Sequence, residues 1–385
     1  MSQLHWMEAG ERRAALWVSE NGSHPPEEVR VASEDAALRL SPADAWALVA
    51  SGVGILWRGD FHAGRELLTA MGKQDRPQAA VSLTARDSFV QHRATQSRRA
   101  LALGSFLVAF ERDFVLPLRR APDLRLACRE AYGDAAEPFA VSLREVLGLV
   151  GAHEWRKKGV EIPALRGRIH PYYGVYSPVR GEYIDLVARA PIPRSVGGSG
   201  GAGSLAFDIG TGTGVLAALL AVRGVSRVIA TDQDARAVAC ARDNANRLGL
   251  EYRINVIKCD MFPEGLASLV VCNPPWVPAT PTSAVEHGVY DPDSRMLRGF
   301  LAGLAAHLEP GGEGWLILSD FAEHLGLRTR QELLTWIAAG GLRVIDRLDT
   351  RPTHAKASDS SDPLHQARAA EVTSLWRLGA GGSAG

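Results

Sequence analysis

The 385-residue chain has little cysteine, no excess of charge of either sign and no long apolar run. Its four cysteines, Cys128, Cys240, Cys259 and Cys272, lie far apart with no C-x-x-C pair. That excludes a disulfide scaffold and a zinc ribbon and fits a reducing compartment. Lys+Arg and Asp+Glu both number 43, so bulk charge does not drive nucleic-acid coating and only a local basic patch is open. No stretch approaches the roughly 20 apolar residues that a membrane span needs. The opening MSQLHWMEAGERR lacks the apolar core of a signal peptide, so a cytoplasmic protein without membrane contact is expected. His153 and His170 stand outside any metal-like spacing, and no metal is expected. What the chain does have is 46% hydrophobic and 22% charged residues, the balance of a globular protein with room for two domains.

A glycine and serine run, GGSGGAGS at 197–204, divides the chain, because such a segment has no side chains to pack. Before it the pattern predicts a mainly helical domain over 1–165, assigned to substrate recognition. Ser41 and Pro42 start one helix. Leu101, Leu103, Phe106, Leu107, Phe110 and Phe114 have helical spacing within a predicted helix over 98–119, and another is predicted over 142–150. Trp6, Trp17, Trp46 and Trp57 are expected to pack in a core or an interface. Residues 166–200 read as a hairpin and the linker. After it, over 201–385, β-rich runs at 205–208, 227–231, 254–257, 269–272 and 315–318 alternate with helical patterns, which predicts a parallel α/β sheet. Runs at 342–348 and 371–378 predict a closing antiparallel hairpin.

Residues 206–217 read AFDIGTGTGVLA. A strand ends at Asp208, glycines stand at 210, 212 and 214, and a helix follows. Glycine permits a sharp turn and close approach of a ligand to backbone. The helix start offers free N–H groups. The spacing is not G-x-G-x-x-G, and the G-K-[ST] of a phosphate loop is missing. Asp232, 22 residues after the first glycine, ends the next strand, where a carboxylate can bind a ribose diol. Asp260 ends the third strand, placed to accept from an exocyclic amine, with Met261 against a purine face.

Asn273-Pro274-Pro275-Trp276 follows the fourth strand. Two prolines stiffen the loop and remove its N–H donors, leaving carbonyls as acceptors. Asn273 adds a side-chain acceptor and Trp276 a flat apolar face. This set suits a planar conjugated –NH2, gripped by its hydrogens so that the nitrogen lone pair faces an electrophile.

The order D-x-G-x-G-x-G, acid, acid, NPPW resembles class I S-adenosylmethionine-dependent methyltransferases of the N-P-P-[FYW] or "small methyltransferase domain" group, over about residues 204–320. LEPGG at 308–312 resembles the turn before that family's fifth strand. The resemblance implies a seven-stranded Rossmann-like sheet, mostly parallel, and S-adenosylmethionine as cofactor. It implies cofactor-binding roles for Asp208, Gly210, Thr211, Gly212, Thr213, Gly214, Asp232, Gln233, Asp260, Met261 and Asn273. It gives catalytic roles to Asn273, Pro274, Pro275 and Trp276.

Residues 170–187, HPYYGVYSPVRGEYIDLV, resemble the segment ahead of the glycine motif in release-factor glutamine methyltransferases, through Tyr173-Gly174, Arg180, Glu182 and Leu186-Val187. Tyr290-Asp291-Pro292 resembles an acid-proline element after the family motif. Tyr173, Arg180, Glu182 and Asp291 are therefore expected at the substrate. The Thr-Glu pair of that family is replaced by Tyr183-Ile184, and the N-terminal part is larger than its helical bundle. The expected substrate is a macromolecule, foremost a protein glutamine side chain, with an exocyclic amine of rRNA or DNA as the alternative. For the latter, Arg156, Lys157, Lys158, Arg166, Arg168 and Arg180 interleave with Trp155, Tyr172, Tyr173, Tyr176 and Tyr183. A small amine and a non-catalytic cofactor-binding scaffold complete the readings.

Overall fold

A computed structural model describes residues 2–19, 22–35, 40–74, 84–134, 137–178, 181–193, 196, 203–283, 285–352, 359–360 and 362–381. The chain forms two compact units, Met1–Leu83 with Val90–Glu154, and Thr84–Phe89 with Trp155–Gly385. The glycine and serine run at 197–202 and Arg180 lie outside the described residues.

The N-terminal unit is built on a sheet that the sequence pattern did not announce. Its strands are β1 (Gln3–Glu8), β2 (Glu11–Trp17), β3 (Val29–Ala32), β4 (Gly54–Trp57), β5 (Phe106–Phe110) and β6 (Phe139–Ser142), ordered β1-β2-β6-β5-β4-β3. Helices α1 (Pro42–Ala50), α2 (Phe61–Met71), α3 (Ala85–Gly104), α4 (Arg125–Tyr132) and α5 (Leu143–Lys158) accompany it. The expected mainly helical domain is therefore corrected to a mixed α/β one. The helix predicted over 98–119 is the source of the error. It stops at Gly104, where Ser105 Oγ donates to the Leu101 carbonyl, and Phe106–Phe110 continues as a strand buried along its whole length. A strand buried on both faces shows no period-2 alternation, and its apolar residues imitate a helical stripe. Ser41 does cap α1, accepting from the Asp44 N–H at 3.2 Å, with Pro42 at its first position. Trp6, Trp17 and Trp57 are buried in this unit.

The second unit opens with a short hairpin, β7 (Val160–Ile162) and β8 (Gly167–Ile169). The expected hairpin over 166–200 thus lies earlier, and α6 (Glu182–Arg189) occupies much of that segment. Tyr183, Ile184, Leu186 and Val187 share one buried helical face. The main sheet has strands β9 (Leu205–Ile209), β10 (Arg227–Asp232), β11 (Ile254–Lys258), β12 (Ala267–Cys272), β13 (Leu308–Ser319), β14 (Leu342–Thr350) and β15 (Thr373–Ala380). Their order is β11-β10-β9-β12-β13-β15-β14. The first five are parallel, and β15 runs antiparallel to both β13 and β14. This is the seven-stranded arrangement with a closing hairpin expected from the sequence.

Burial explains the residue choice. β12, ASLVVC, is buried along its whole length, as a central parallel strand must be. The edge strand β14 is mostly exposed and carries Arg343, Asp346, Arg347 and Asp349, charges that discourage pairing with another chain. The helices α7 (Val215–Val222), α8 (Ala235–Arg247), α9 (Arg295–Leu304), α10 (Phe321–His324), α11 (Arg330–Ala339) and α12 (His365–Ala370) complete the unit. α7, VLAALLAV, is apolar all round because seven of its eight residues are buried. The LEPGG segment lies inside β13, at a register shift between Ala267–Leu308 and Leu269–Glu313. Among the described residues no helix is long and apolar enough to cross a membrane.

Candidate active site

Chain order puts a switch point beside β9. The chain moves from β9 to β10 and β11 on one side, then returns to β12 on the other. In open parallel sheets ligands bind at the carboxyl ends of strands at such a point. The register fixes which residues meet there. Thr231 and Cys272 both pair with Ile209, one from each neighbouring strand. The next residues along the three strands are Asp232, Gly210 and Asn273. The acid, the first glycine and the start of the NPPW loop therefore leave the sheet at one level.

Asp208 organises the glycine loop. Its Oδ2 accepts from Thr211 Oγ1 at 2.6 Å and from the Ala217 N–H at 2.9 Å, joining strand, loop and α7. The Thr211 N–H donates to the Thr231 carbonyl at 2.8 Å. Burial, the dominant cause, pushes the Asp208 carboxyl up to about 6, the charge of Asp232 adds to the rise, and the two hydrogen bonds oppose it. Asp232 accepts from the Gly212 N–H and the Asp234 N–H, each at 3.0 Å, and burial raises its carboxyl as well. Gln233 is exposed beside it.

The three glycines have φ of +70°, +55° and +81°. A Cβ on Gly214 would stand 3.2 Å from the Ala241 backbone, so this glycine seats the loop on α8. A Cβ on Gly212 would meet nothing within 4 Å. The loop thus presents bare backbone to open space at Gly212, beside the Asp232 carboxylate. Backbone and carboxylate there are both open to a ligand.

Sequence reasoning passed over Asn244, a buried residue on α8. Its Nδ2 donates to the Thr213 carbonyl at 3.0 Å, and its Oδ1 accepts from the His170 N–H at 2.7 Å. It fastens the glycine loop to the segment after β8. A polar side chain four positions from Cys240 on an otherwise small-residue helix face was the available signal.

Asp260 and Met261 are less simply placed. Asp260 is half-exposed and pairs with Arg295 at 2.5 Å. Met261 has φ +74°, and its carbonyl accepts from Thr231 Oγ1 at 2.7 Å.

Beyond Asn273 the loop is held by its own motif and by the segment after it. Trp276 Nε1 donates to Asn273 Oδ1 at 2.9 Å, which orients the amide and leaves its oxygen one further lone pair. The Val277 carbonyl accepts from the Asp291 N–H at 2.9 Å. A cavity opens beside Asn273, Pro274 and Trp276, walled also by Tyr176, Tyr183, Tyr290 and Phe321, with Arg368 and Glu371. Glu371 is buried, with Oε1 accepting from Ser319 Oγ at 2.7 Å. Arg368 pairs with Asp362 at 2.8 Å and lies over the Phe321 ring. Chain distance concealed these last residues, since Glu371 follows NPPW by almost a hundred positions.

The residues expected at the substrate disperse. The Tyr173 carbonyl accepts from Arg236 of α8, and Tyr176, three residues on, reaches the cavity in its place. The Asp291 carboxylate is taken by the Met296 and Leu297 N–H groups and caps α9, and burial raises its pKa. Glu182 sits in the first turn of α6. In the basic and aromatic segment, Arg156 stacks on the Tyr172 ring at 3.9 Å and Arg168 donates to the Lys158 carbonyl, so these cations serve internal packing.

Two outcomes follow from this geometry. Gly212→Ala is expected to fold and to lose S-adenosylmethionine binding in calorimetric titration, whereas Gly214→Ala is expected to lower the melting temperature. Equal cofactor affinity in Gly212→Ala and the parent would contradict the cradle. The raised Asp208 pKa means that the folded protein holds this proton more tightly than the unfolded chain. Its stabilising contribution is full below about pH 4 and is lost as pH rises through about 6, on the order of 3 kcal/mol in all. Asp208→Asn keeps an oxygen for both donors and removes the titration. Urea midpoints of that variant should fall less between pH 4 and 7 than the parent's; an unchanged slope would remove Asp208 as the cause.

Residues 202–328 match the family model described as the methyltransferase small domain. The ribosomal protein L11 methyltransferase of Sorangium cellulosum is 36% identical over 117 residues, 30% of this chain and 31% of that protein. The release factor glutamine methyltransferase of Caulobacter vibrioides is 32% identical over 157 residues, 38% of this chain and 54% of that protein. The release factor glutamine methyltransferase of Cereibacter sphaeroides is 36% identical over 121 residues, 28% and 43% of the two chains. This chain therefore spans between about a third and just over half the length of these relatives. Together with the sheet order and the site at its switch point, the match identifies residues 202–328 as a methyltransferase small domain of the class I S-adenosylmethionine-dependent methyltransferases.

Proposed function

We propose that the protein is an N-methyltransferase that transfers a methyl group from S-adenosylmethionine to a planar amide, the side chain of a glutamine in a protein substrate. The observation that carries this reading is the shared level of Gly210, Asp232 and Asn273 across three adjacent strands. It sets a cofactor cradle beside a loop of hydrogen-bond acceptors. The bound cofactor supplies an electrophilic methyl group on a sulfonium. Asp232 would hold the ribose, the bare backbone at Gly212 would receive the amino-acid end, and Asp260 and Met261 would border the adenine.

The chain's own residues then position the acceptor. An amide nitrogen is a poor nucleophile because its lone pair is delocalised. Asn273 Oδ1 and the Pro274 carbonyl grip its two hydrogens and turn the lone pair outward, with Trp276 against the flat amide. As the nitrogen–methyl bond forms the sulfonium–methyl bond breaks to leave a neutral thioether, and the methylated nitrogen, now strongly acidic, gives one proton to solvent, so no strong base is needed and positioning and electrostatics can supply most of the rate. Tyr176, Tyr183, Tyr290 and Phe321 give the acceptor an aromatic wall, and Glu371 lies in the same lining. Relatives named as release factor glutamine methyltransferases support the amide over a nucleobase. So does the engagement of Arg156 and Arg168 in internal contacts.

Two variants separate cofactor from acceptor. Asp232→Ala is expected to abolish S-adenosylmethionine binding. Asn273→Ala is expected to bind cofactor within about threefold of the parent and to lose at least a hundredfold in methyl transfer, about 2.7 kcal/mol of barrier. Retained turnover in Asn273→Ala, measured with labelled cofactor, would overturn the acceptor assignment.

A further inference from the structure

The N-terminal unit carries a cavity of its own. One wall is a face of α3, where Thr95, Arg98, Arg99 and Ala102 follow at i, i+3, i+4 and i+7. Across from it stand Trp46 of α1, Trp17 at the end of β2, and His24. Among the described lining residues there are two guanidinium groups and an imidazole, and no carboxylate. That sign is set against a chain whose formal charge is zero. Isolated cations on a helix are ordinary; two guanidinium groups at a concavity with no carboxylate among its described lining residues favour a positive potential inside it.

The side chains are also arranged for different tasks. Arg99 is held, its Nη2 donating to the Gly72 carbonyl at 2.5 Å. Arg98 is exposed and touches Thr95 Oγ1 at 3.5 Å, a contact too long to fix it. Trp17 is buried, and its indole N–H donates to the Ser23 carbonyl at 2.7 Å, so it forms a rigid floor. Trp46 is half-buried and presents part of its ring to the cavity. A simple anion would use the cations and leave this indole idle. An apolar ligand would leave the cations unmatched. A nucleotide uses both, its phosphate on guanidinium groups and its base on an aromatic face.

We propose that this cavity binds a nucleotide, with the phosphate on Arg98 and Arg99 and the base stacked on Trp46. It is a site apart from the S-adenosylmethionine cradle and serves recognition, not methyl transfer. The same chemistry could come from a free mononucleotide or from one residue of a single strand, and the test separates these sources.

The full chain is titrated with adenosine monophosphate by calorimetry and with a fluorescein-labelled single-stranded RNA octamer by anisotropy. Parent, Trp46→Phe, Trp46→Leu and Arg98→Ala are compared, with circular dichroism and the thermal melt of the full chain as the check that each variant is folded. Trp46→Leu is expected to weaken binding at least tenfold, and Trp46→Phe, which keeps a stacking face, to restore most of it. Arg98→Ala is expected to lower the salt slope by about one. Equal per-site affinity for mononucleotide and octamer identifies a free nucleotide as the ligand; tighter binding of the octamer by tenfold or more identifies a strand. Absence of binding to both probes overturns the proposal. So does full retention in Trp46→Leu, or equal competition by an acidic hexapeptide, which would make the cavity a general anion surface.

Discussion

The glycine loop hangs on one buried carboxylate oxygen. Asp208 Oδ2 accepts from Thr211 and from Ala217 at once, so β9, the glycine loop and α7 share one fixed point. Holding a carboxylate in that position is unfavourable, as its raised pKa records. The return is geometric. With the loop closed on Asp208, the Gly212 N–H reaches Asp232 and the backbone faces open space. Asn244 secures the other side of the loop through the Thr213 carbonyl. Rigidity at this point matters because a site whose parts drift by an ångström loses its positioning effect.

From that fixed point, sheet register distributes the chemistry. Parallel pairing puts equivalent residues of adjacent strands at one height, so neither Asp232 nor the NPPW loop needs a dedicated support. The C-terminal hairpin adds the remainder. Asp320 exchanges hydrogen bonds with Val372, its backbone N–H donating to the Val372 carbonyl at 3.1 Å and its Oδ1 accepting from the Val372 N–H at 2.7 Å. That tie holds the α12–β15 junction, and with it Glu371, at the end of β13. The cavity beside NPPW is thus lined in part by residues that a shorter sheet would lack.

How much of this could be read beforehand differs by unit. In the second, strands are short apolar runs ended by glycine or acid, and Asp208, Asp232 and Asn273 stand where strand ends require them. LEPGG was a local pattern that the sheet absorbed into β13 as a register shift. In the first unit, β5 follows α3 with a single residue between them, and its five buried apolar residues carry no alternation that would mark a strand. The cavity wall was hidden for another reason. Tyr176, Tyr183 and Glu371 approach NPPW only through tertiary folding, and no spacing along the chain encodes that meeting. Asp291 shows the reverse case, a motif position whose carboxylate is needed to cap α9.

The most direct test of the account uses tritiated S-adenosylmethionine and lysate of a strain lacking this gene, with products separated into protein, RNA, DNA and small molecules. The account predicts label in a protein, with mass spectrometry placing the methyl group on a glutamine side-chain nitrogen. Label confined to RNA or DNA, or to a small amine, would contradict it.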